Sequence, residues 1–402
     1  MVIKAGISLK EMITFEDAYQ IVMDSAFRIG AEAVSFTDSM NRILAGDVKS
    51  DIDMPPFNKS SVDGFACRRE DLKNDLEIVD TIPAGKTPDK AIGNNQSSRI
   101  MTGAEIPAGA DCVIMVEDSV VLPSGKIRFT GTFQKENIAR KGEDVKAGDV
   151  VLKAGRSIKP QDIAVMASVG HTSVTVSQMP DVAVISTGSE LVEPSEKPGA
   201  SQIRNSNAWQ LMVQIDRAGG RGKYYGIAKD DEDETLVIVR KAISENNIVL
   251  VTGGVSMGDF DFVPAVMERT GIRLLFKSVA IQPGKPTTFG VHKDALVFGL
   301  PGNPVSSFIM FELLVRPLLM KMMGGQWSPV VFSLPMKKDF MRKITDRMSC
   351  IPVSITGDGM VLPVEFHGSA HISAVSAADG IIFMPIGIRT IEKGRIVDVR
   401  QI

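Results

Sequence analysis

Between Asp181 and Gly325 the chain repeats a strand, a loop and a helix, and this repetition narrows the fold more than any other feature. Val182 to Ile185 and Ile248 to Val251 are short, continuous apolar runs, each followed closely by Thr-Gly. Such runs are the mark of parallel strands buried on both faces. The segments between them, such as Glu234 to Glu245, carry helical spacing. A doubly wound α/β domain is expected over residues 179–326. In an open parallel sheet, ligands sit beyond the carboxyl ends of the strands, where loops and helix N-termini offer unpaired N–H groups to anions.

The flanking segments read differently. Thr14 to Ile29 has the pattern of a helix, with Thr14 as N-cap, Ala18, Ile21, Val22 and Ser25 on one face, and Gly30 placed to end it. From Asp51 to about Asp149, short strands and turns rich in Gly, Pro and Asp suggest a β-rich module over 51–147. Ile158 to Gly170 is helical again, with Pro160 suited to a first turn. Residues 1–50 and 148–178 are therefore expected to pack together as one discontinuous linking domain. After Gly324 and Gly325, short strands broken by Gly and Pro give a small C-terminal β domain over 327–402.

Charge bounds the partners. The 45 Lys and Arg against 48 Asp and Glu leave a formal charge of -3, so no global field draws the chain to nucleic acid or anionic lipid. Any anion must be held by a local site. The apolar stretch Val305 to Met323 is interrupted by Glu312, Arg316, Pro317 and Lys321, and Met1 to Asp17 lacks the apolar core of a signal peptide. No membrane partner is expected. Cys67, Cys112 and Cys350 are isolated, which fits a reducing, cytoplasmic setting better than a disulfide framework.

Three loops end strands of the α/β domain: Ser186 to Glu190, Thr252 to Asp261, and Gly299 to Pro304. Their glycines permit close backbone approach to a ligand. Glu190, Asp230, Asp231, Asp259 and Asp261 lie in the same region. Carboxylates beside anion-binding backbone suggest a hard divalent cation bridging protein and phosphate. Lys277 and Lys285 supply point charges suited to an oxyanion, although Gln282 to Pro286 lacks the spacing of a Walker A loop. Gly254-Val255-Ser256-Met257-Gly258 matches the nucleophile elbow of serine hydrolases. That elbow needs a helix starting at the serine, whereas Pro264 suits a helix beginning several residues later.

Taken in order, the motifs of the whole chain resemble the MoeA family, which includes the C-terminal domain of gephyrin. The resemblance rests on Pro56-Phe57 through Asp63-Gly64-Phe65-Ala66, Met101 to Ala104 with Glu117, Gly142-Glu143-Asp144, Ser186 to Leu191, Ile203 to Asn207, the Thr252 to Asp261 loop, Pro283 to Pro286, and Gly299 to Pro304. It implies an elongated homodimer with four domains per subunit, the last a C-terminal β-barrel. It further implies insertion of molybdate into adenylylated molybdopterin, with release of AMP and use of a divalent cation such as Mg²⁺. By position, Glu190, Asp230 and Asp261 would surround metal and phosphates, with Ser256 cradling the anion. Asp63 and Thr102 would come from the β-rich module of a partner subunit, with Asp144 near that cleft. Lys277, Lys285, Pro286, Arg347 and Ser369 would line the molybdate end, and Pro301 and Pro304 the substrate loop. The chain departs from the family pattern at Asn58, where Asp is usual, and at Gln282, Ser278 and Ala139, where basic residues are common; the latter three thin positive charge around a site for a dianion and make tungstate use conceivable. A receptor-clustering scaffold is the non-enzymatic alternative.

Overall fold

The computed structural model describes residues 12–132, 135–255, 262–365 and 371–402. Its centre is a six-stranded sheet in the order Arg221–Ala228, Asp181–Thr187, Ile248–Thr252, Leu296–Leu300, Thr288–Val291, Arg273–Phe276. The first four strands are parallel, and the last two join antiparallel. This antiparallel edge departs from the all-parallel expectation. His292 N–H donates to the Ala295 carbonyl at 2.8 Å, so the connection into Leu296–Leu300 is a tight turn, too short for a crossover helix.

Side chains alternate between two cores. Val182, Val184, Ile248, Leu250, Leu296 and Phe298 enter one buried cluster, while Ala183, Ile185, Val249, Val251 and Val297 enter the other. The first is covered by helices Ser206–Arg217, Pro304–Met310 and Arg316–Met322, the second by Glu232–Glu245 and Val263–Arg269. Both faces being covered explains why the strands read as unbroken apolar runs. Pro264 does lie in the first turn of the Val263–Arg269 helix.

The N-terminal helix spans Phe15–Asp24, with the Thr14 hydroxyl accepting from Asp17 N–H at 3.1 Å. It stops short of Gly30. Ser25 Oγ turns back to the Ile21 carbonyl at 2.8 Å, and Ile29 N–H donates to Met322 O, so this stretch is spent on docking to the neighbouring helix. Strand Ala31–Ser35 pairs with Ser173–Ser177, and Val48–Lys49 with Val150–Leu152. Leu44, Val48, Leu152, Ile158, Met166 and Val176 share one buried cluster, so the segments before and after the β-rich stretch do pack together. That stretch holds a four-stranded sheet ordered Glu77–Ile82, Gln96–Ile100, Gly64–Cys67, Cys112–Met115.

The C-terminal sheet runs Ile281–Gln282, Met348–Ile355, Gly380–Met384, Ile396–Gln401, Val331–Pro335, with Val361–Pro363 on Met348–Ile355. Among the described residues it does not close, which corrects the expected barrel. Val331–Pro335 pairs only with Ile396–Gln401, and past Pro335 a single bridge from Met336 to Val361 is all that reaches across to the neighbouring strand. At the other end, Ile281–Gln282 comes from the α/β region and pairs parallel with Met348 and Ser349. No described helix is long and apolar enough to cross a membrane.

Candidate active site

The carboxyl ends of the three central parallel strands converge on a crevice of about 740 Å³. Its walls include Ser186 to Gly188 and Glu190 from the first strand end, Thr252 to Val255 from the second, and Pro301 to Pro304 from the third. Local chemistry holds each loop in place. The helix Ser206–Arg217 is capped by Asn205, whose Oδ1 accepts from Ala208 N–H at 3.4 Å and from Ser186 Oγ at 3.0 Å. Asn207 Nδ2 donates to Thr252 Oγ1 at 2.9 Å and to the Gly302 carbonyl at 2.7 Å, so one amide cross-links the second and third loops.

Glycine is required where the first two loops touch. Gly253 has φ +99°, and a β-carbon there would press on the carbonyl oxygen of Thr187. Gly253→Ala should therefore displace the loop and lower kcat/KM by about a hundredfold, since misplacements of an ångström cost that much in an aligned site. A variant with wild-type kinetics would contradict this packing argument.

Two acids face this backbone. Asp230 Oδ2 accepts from Ser189 N–H at 2.9 Å, and Ser189 Oγ accepts from Asp230 N–H at 3.1 Å. The Glu190 carboxylate lies over Gly188, where a β-carbon would fall 2.5 Å from Oε2. Two buried atoms of the walls, Thr187 Oγ1 and Asn207 Oδ1, have no hydrogen-bond partner among the described residues. Orphaned polar atoms of this kind need an explanation, and a bound ligand or water is the usual one. Tyr224 braces the outer side. It donates to Glu193 at 2.6 Å and accepts from Asn205 Nδ2 at 2.8 Å, and burial followed by the Glu193 carboxylate raises its pKa.

Of the residues expected from sequence, Glu190, Asp230, Pro286, Pro301 and Pro304 line this crevice together. Lys285, Lys277 and Arg347 are not among its lining residues. Lys277 pairs with Glu268 at 3.4 Å, and Arg347 lies 3.4 Å from Asp346. Asp63 and Thr102 meet each other instead, within the β-rich part, and Asp144 is exposed with its N–H on the Met54 carbonyl. Ser256, Asp261 and Ser369 lie outside the described residues. Sequence reasoning assigned no role to Asn207, Thr252 or Ile372. The Ile203 to Asn207 run entered only as a motif of the family resemblance, and nothing in it showed which loops Asn207 would bridge.

The Asp63 clamp carries a pH dependence. Its Oδ1 accepts from Thr102 N–H at 2.6 Å and from Thr102 Oγ1 at 2.9 Å, and these bonds hold its carboxyl below the ordinary value of 3.8. A group depressed in the fold contributes stability that is complete above its unfolded pKa and lost as pH falls through the lower folded one. The Thr102 amide resonance should accordingly titrate with a midpoint below 3.8. A midpoint above that value would show the clamp to be broken in solution.

The fold and crevice define a multidomain protein built around a molybdopterin-binding α/β domain: residues 183–321 match the probable molybdopterin binding domain. Residues 13–170 match the MoeA N-terminal region (domain I and II), and 334–402 the MoeA C-terminal region (domain IV). Relatives named molybdopterin molybdenumtransferase, from Staphylococcus epidermidis and Staphylococcus aureus, are 37% and 36% identical over 96% of this chain and 95% of theirs. Crystal structures of a molybdopterin biosynthesis MoeA protein from Pyrococcus horikoshii superpose with TM-scores of 0.82 and 0.85, at 31% and 29% identity. They cover 97% and 98% of this chain, and 99% and 100% of their own. The chain belongs to the MoeA family, the molybdopterin molybdenumtransferases, enzymes of molybdenum cofactor biosynthesis.

Proposed function

We propose that the strand-end crevice binds adenylylated molybdopterin, Mg²⁺ and molybdate, that the two dithiolene thiols replace one oxo group of molybdate, which leaves as water, and that a water molecule cleaves the phosphoanhydride to release AMP. The observation that carries this reading is the meeting of Glu190 and Asp230 with glycine-lined backbone in one crevice. Little covalent chemistry is required of the protein in such a step. Positioning and stabilisation of charge dominate, as in other phosphoryl chemistry.

The donor set fits Mg²⁺. That ion is held by one or two carboxylates together with substrate phosphate oxygens and water rather than by an all-protein cage. Glu190 and Asp230 are such a pair, and no described group of three or more His, Cys, Asp or Glu side chains forms a closed metal site. Bound there, the cation would offset phosphate charge at the scissile link. The strand-end loops would hold the diphosphate, Thr187 Oγ1 would donate to it, Asn207 Oδ1 would accept from an N–H of the pterin, and Pro286 and Ile372 would shape the far wall.

Asp63, Thr102 and Asp144 do not line this chain's own crevice, and we infer that they complete the crevice of a second copy in a homodimer. The reading retains the division into 1–50 with 148–178, 51–147, 179–326 and 327–402, but with a C-terminal sheet rather than a barrel. The three cysteines are free and buried, in keeping with a cytoplasmic enzyme.

Turnover tests the reading. Adenylylated molybdopterin with Mg²⁺ should release AMP and yield molybdenum cofactor only when molybdate is added, with tungstate as competitor. Peptide binding without AMP release would instead favour the scaffold.

A further inference from the structure

Two of the three cysteines, 45 residues apart in sequence, are brought together by the fold of the β-rich part. Cys67 and Cys112 lie directly opposite each other on the antiparallel strands Gly64–Cys67 and Cys112–Met115. Their sulfurs are 3.7 Å apart, and neither residue is exposed. Opposed residues of antiparallel strands have α-carbons about 4.5–5.5 Å apart, within the span of about 4.4–6.8 Å that a disulfide bridges. Phe65, Leu76, Ile114 and Ile127 pack in the same apolar cluster. Among the described residues no further His, Cys, Asp or Glu joins the pair in a metal site, so the chemistry open to each sulfur is the other sulfur.

The two thiols differ. Hydrogen bonding by Cys67 holds the Cys112 thiol below its ordinary value of 9.0, while the same bond, then burial, raises that of Cys67. Cys112 is therefore the sulfur that reaches the reactive thiolate form. Its strand is the outer one of the four-stranded sheet. On the outer side, Val113 N–H donates to the Glu136 carbonyl at 3.0 Å, and Asn137 Nδ2 donates to the Val113 carbonyl at 2.9 Å. A short outer strand opens locally at less cost than the whole domain, which gives a small neutral oxidant a path to buried sulfur. At the far end of the same strand pair, Val116 N–H donates to the Asp63 carbonyl at 3.2 Å. The strands that carry the cysteines thus also hold the Asp63 backbone.

We propose that Cys67 and Cys112 form a reversible thiol–disulfide switch, closed by peroxide, that locks the outer strand onto the strand leading from Asp63. The Cys112 thiolate attacks one oxygen of hydrogen peroxide, the O–O bond breaks, and Cys112 becomes a sulfenic acid while the other oxygen leaves as water. The Cys67 sulfur then attacks the Cys112 sulfur and displaces its oxygen as a second water. Two thiols give up two electrons and two protons, peroxide takes them, and one S–S bond joins the strands. A dithiol reductant reverses the step by exchange. In a reducing compartment the open form is the resting one, as the free thiols here show. The switch is independent of what the crevice binds.

Thiol counting on the folded, full-length wild-type protein tests the proposal. After treatment with excess hydrogen peroxide, removal of the oxidant and unfolding, free thiols should fall from three to one, and peptide mapping should link Cys67 to Cys112. Dithiothreitol should restore all three. In the linked form, amide hydrogen exchange over residues 112–116 should slow by about tenfold or more, because the covalent link suppresses the local opening, and it should return to its first rate on reduction. A thiol count that stays at three, oxygen added to Cys112 without a link, or a link through Cys350 would overturn the proposal. Linked protein whose outer strand exchanges as fast as before would overturn it too, since the bond would then lock nothing.

Discussion

Asp230→Asn should lower the rate of AMP release by about two orders of magnitude, the scale on which the loss of one preorganised charge-stabilising group is felt. The substitution separates charge from geometry. Asp230 is held by a reciprocal pair of bonds with Ser189, and asparagine still presents an oxygen to the Ser189 N–H while its own backbone N–H still reaches Ser189 Oγ. The loop after the first strand should keep its shape. Asp230 is exposed, so the melting temperature should move by no more than about 2 °C, as for other surface substitutions. Lost beside the phosphates is one negative charge, and with it one hard oxygen donor. An Asp230→Asn enzyme with unchanged turnover would remove Asp230 from the reaction. One that melted far below wild type would assign it to structure instead.

The second large effect falls on stability. Glu312→Ala should cost about 3–5 kcal/mol, because removing one partner of a buried ion pair leaves the other charge uncompensated. Arg316, whose side chain is 18% exposed, would lose its carboxylate, and Gln214 Nε2 would lose its shorter acceptor. A cavity would be added at a position only 2% exposed. Denaturant unfolding followed by Trp fluorescence measures this. A loss under about 1 kcal/mol, typical of an exposed pair, would show that solvent reaches the cluster.

These two residues also mark how far the sequence could be read. Asp230 was legible only through the group of acids around the strand-end loops and the family resemblance, since its own strand, Arg221–Ala228, is partly exposed and the turn after it carries no glycine. The strand pattern itself was legible for Val182 to Ile185, whose side chains divide between two cores. Glu312 was not legible. Within an apolar helical run it looked like an interruption that only spoke against a membrane span, since its partners lie 88 to 98 residues away in sequence for Arg400, Arg217 and Gln214. Asn207 was missed for the same reason: the loops it bridges meet only once the sheet has formed. Lys277 is a different case: a lysine near a strand end suggested an anion contact, and its ammonium lies 3.4 Å from Glu268 on the preceding helix. The expected barrel failed on the pairing of edges, which short strands broken by proline leave undetermined.

The central claim is that the nucleotide-tethered pterin lies where the three parallel strands end. A crystal structure of the wild-type enzyme soaked with adenylylated molybdopterin and Mg²⁺, with molybdate withheld so that the ligand persists, tests it most directly. The diphosphate should lie between the carboxylates of Glu190 and Asp230 and the backbone of Gly253 and Gly302. Density for the ligand at another surface, with this crevice filled by water alone, would contradict the account.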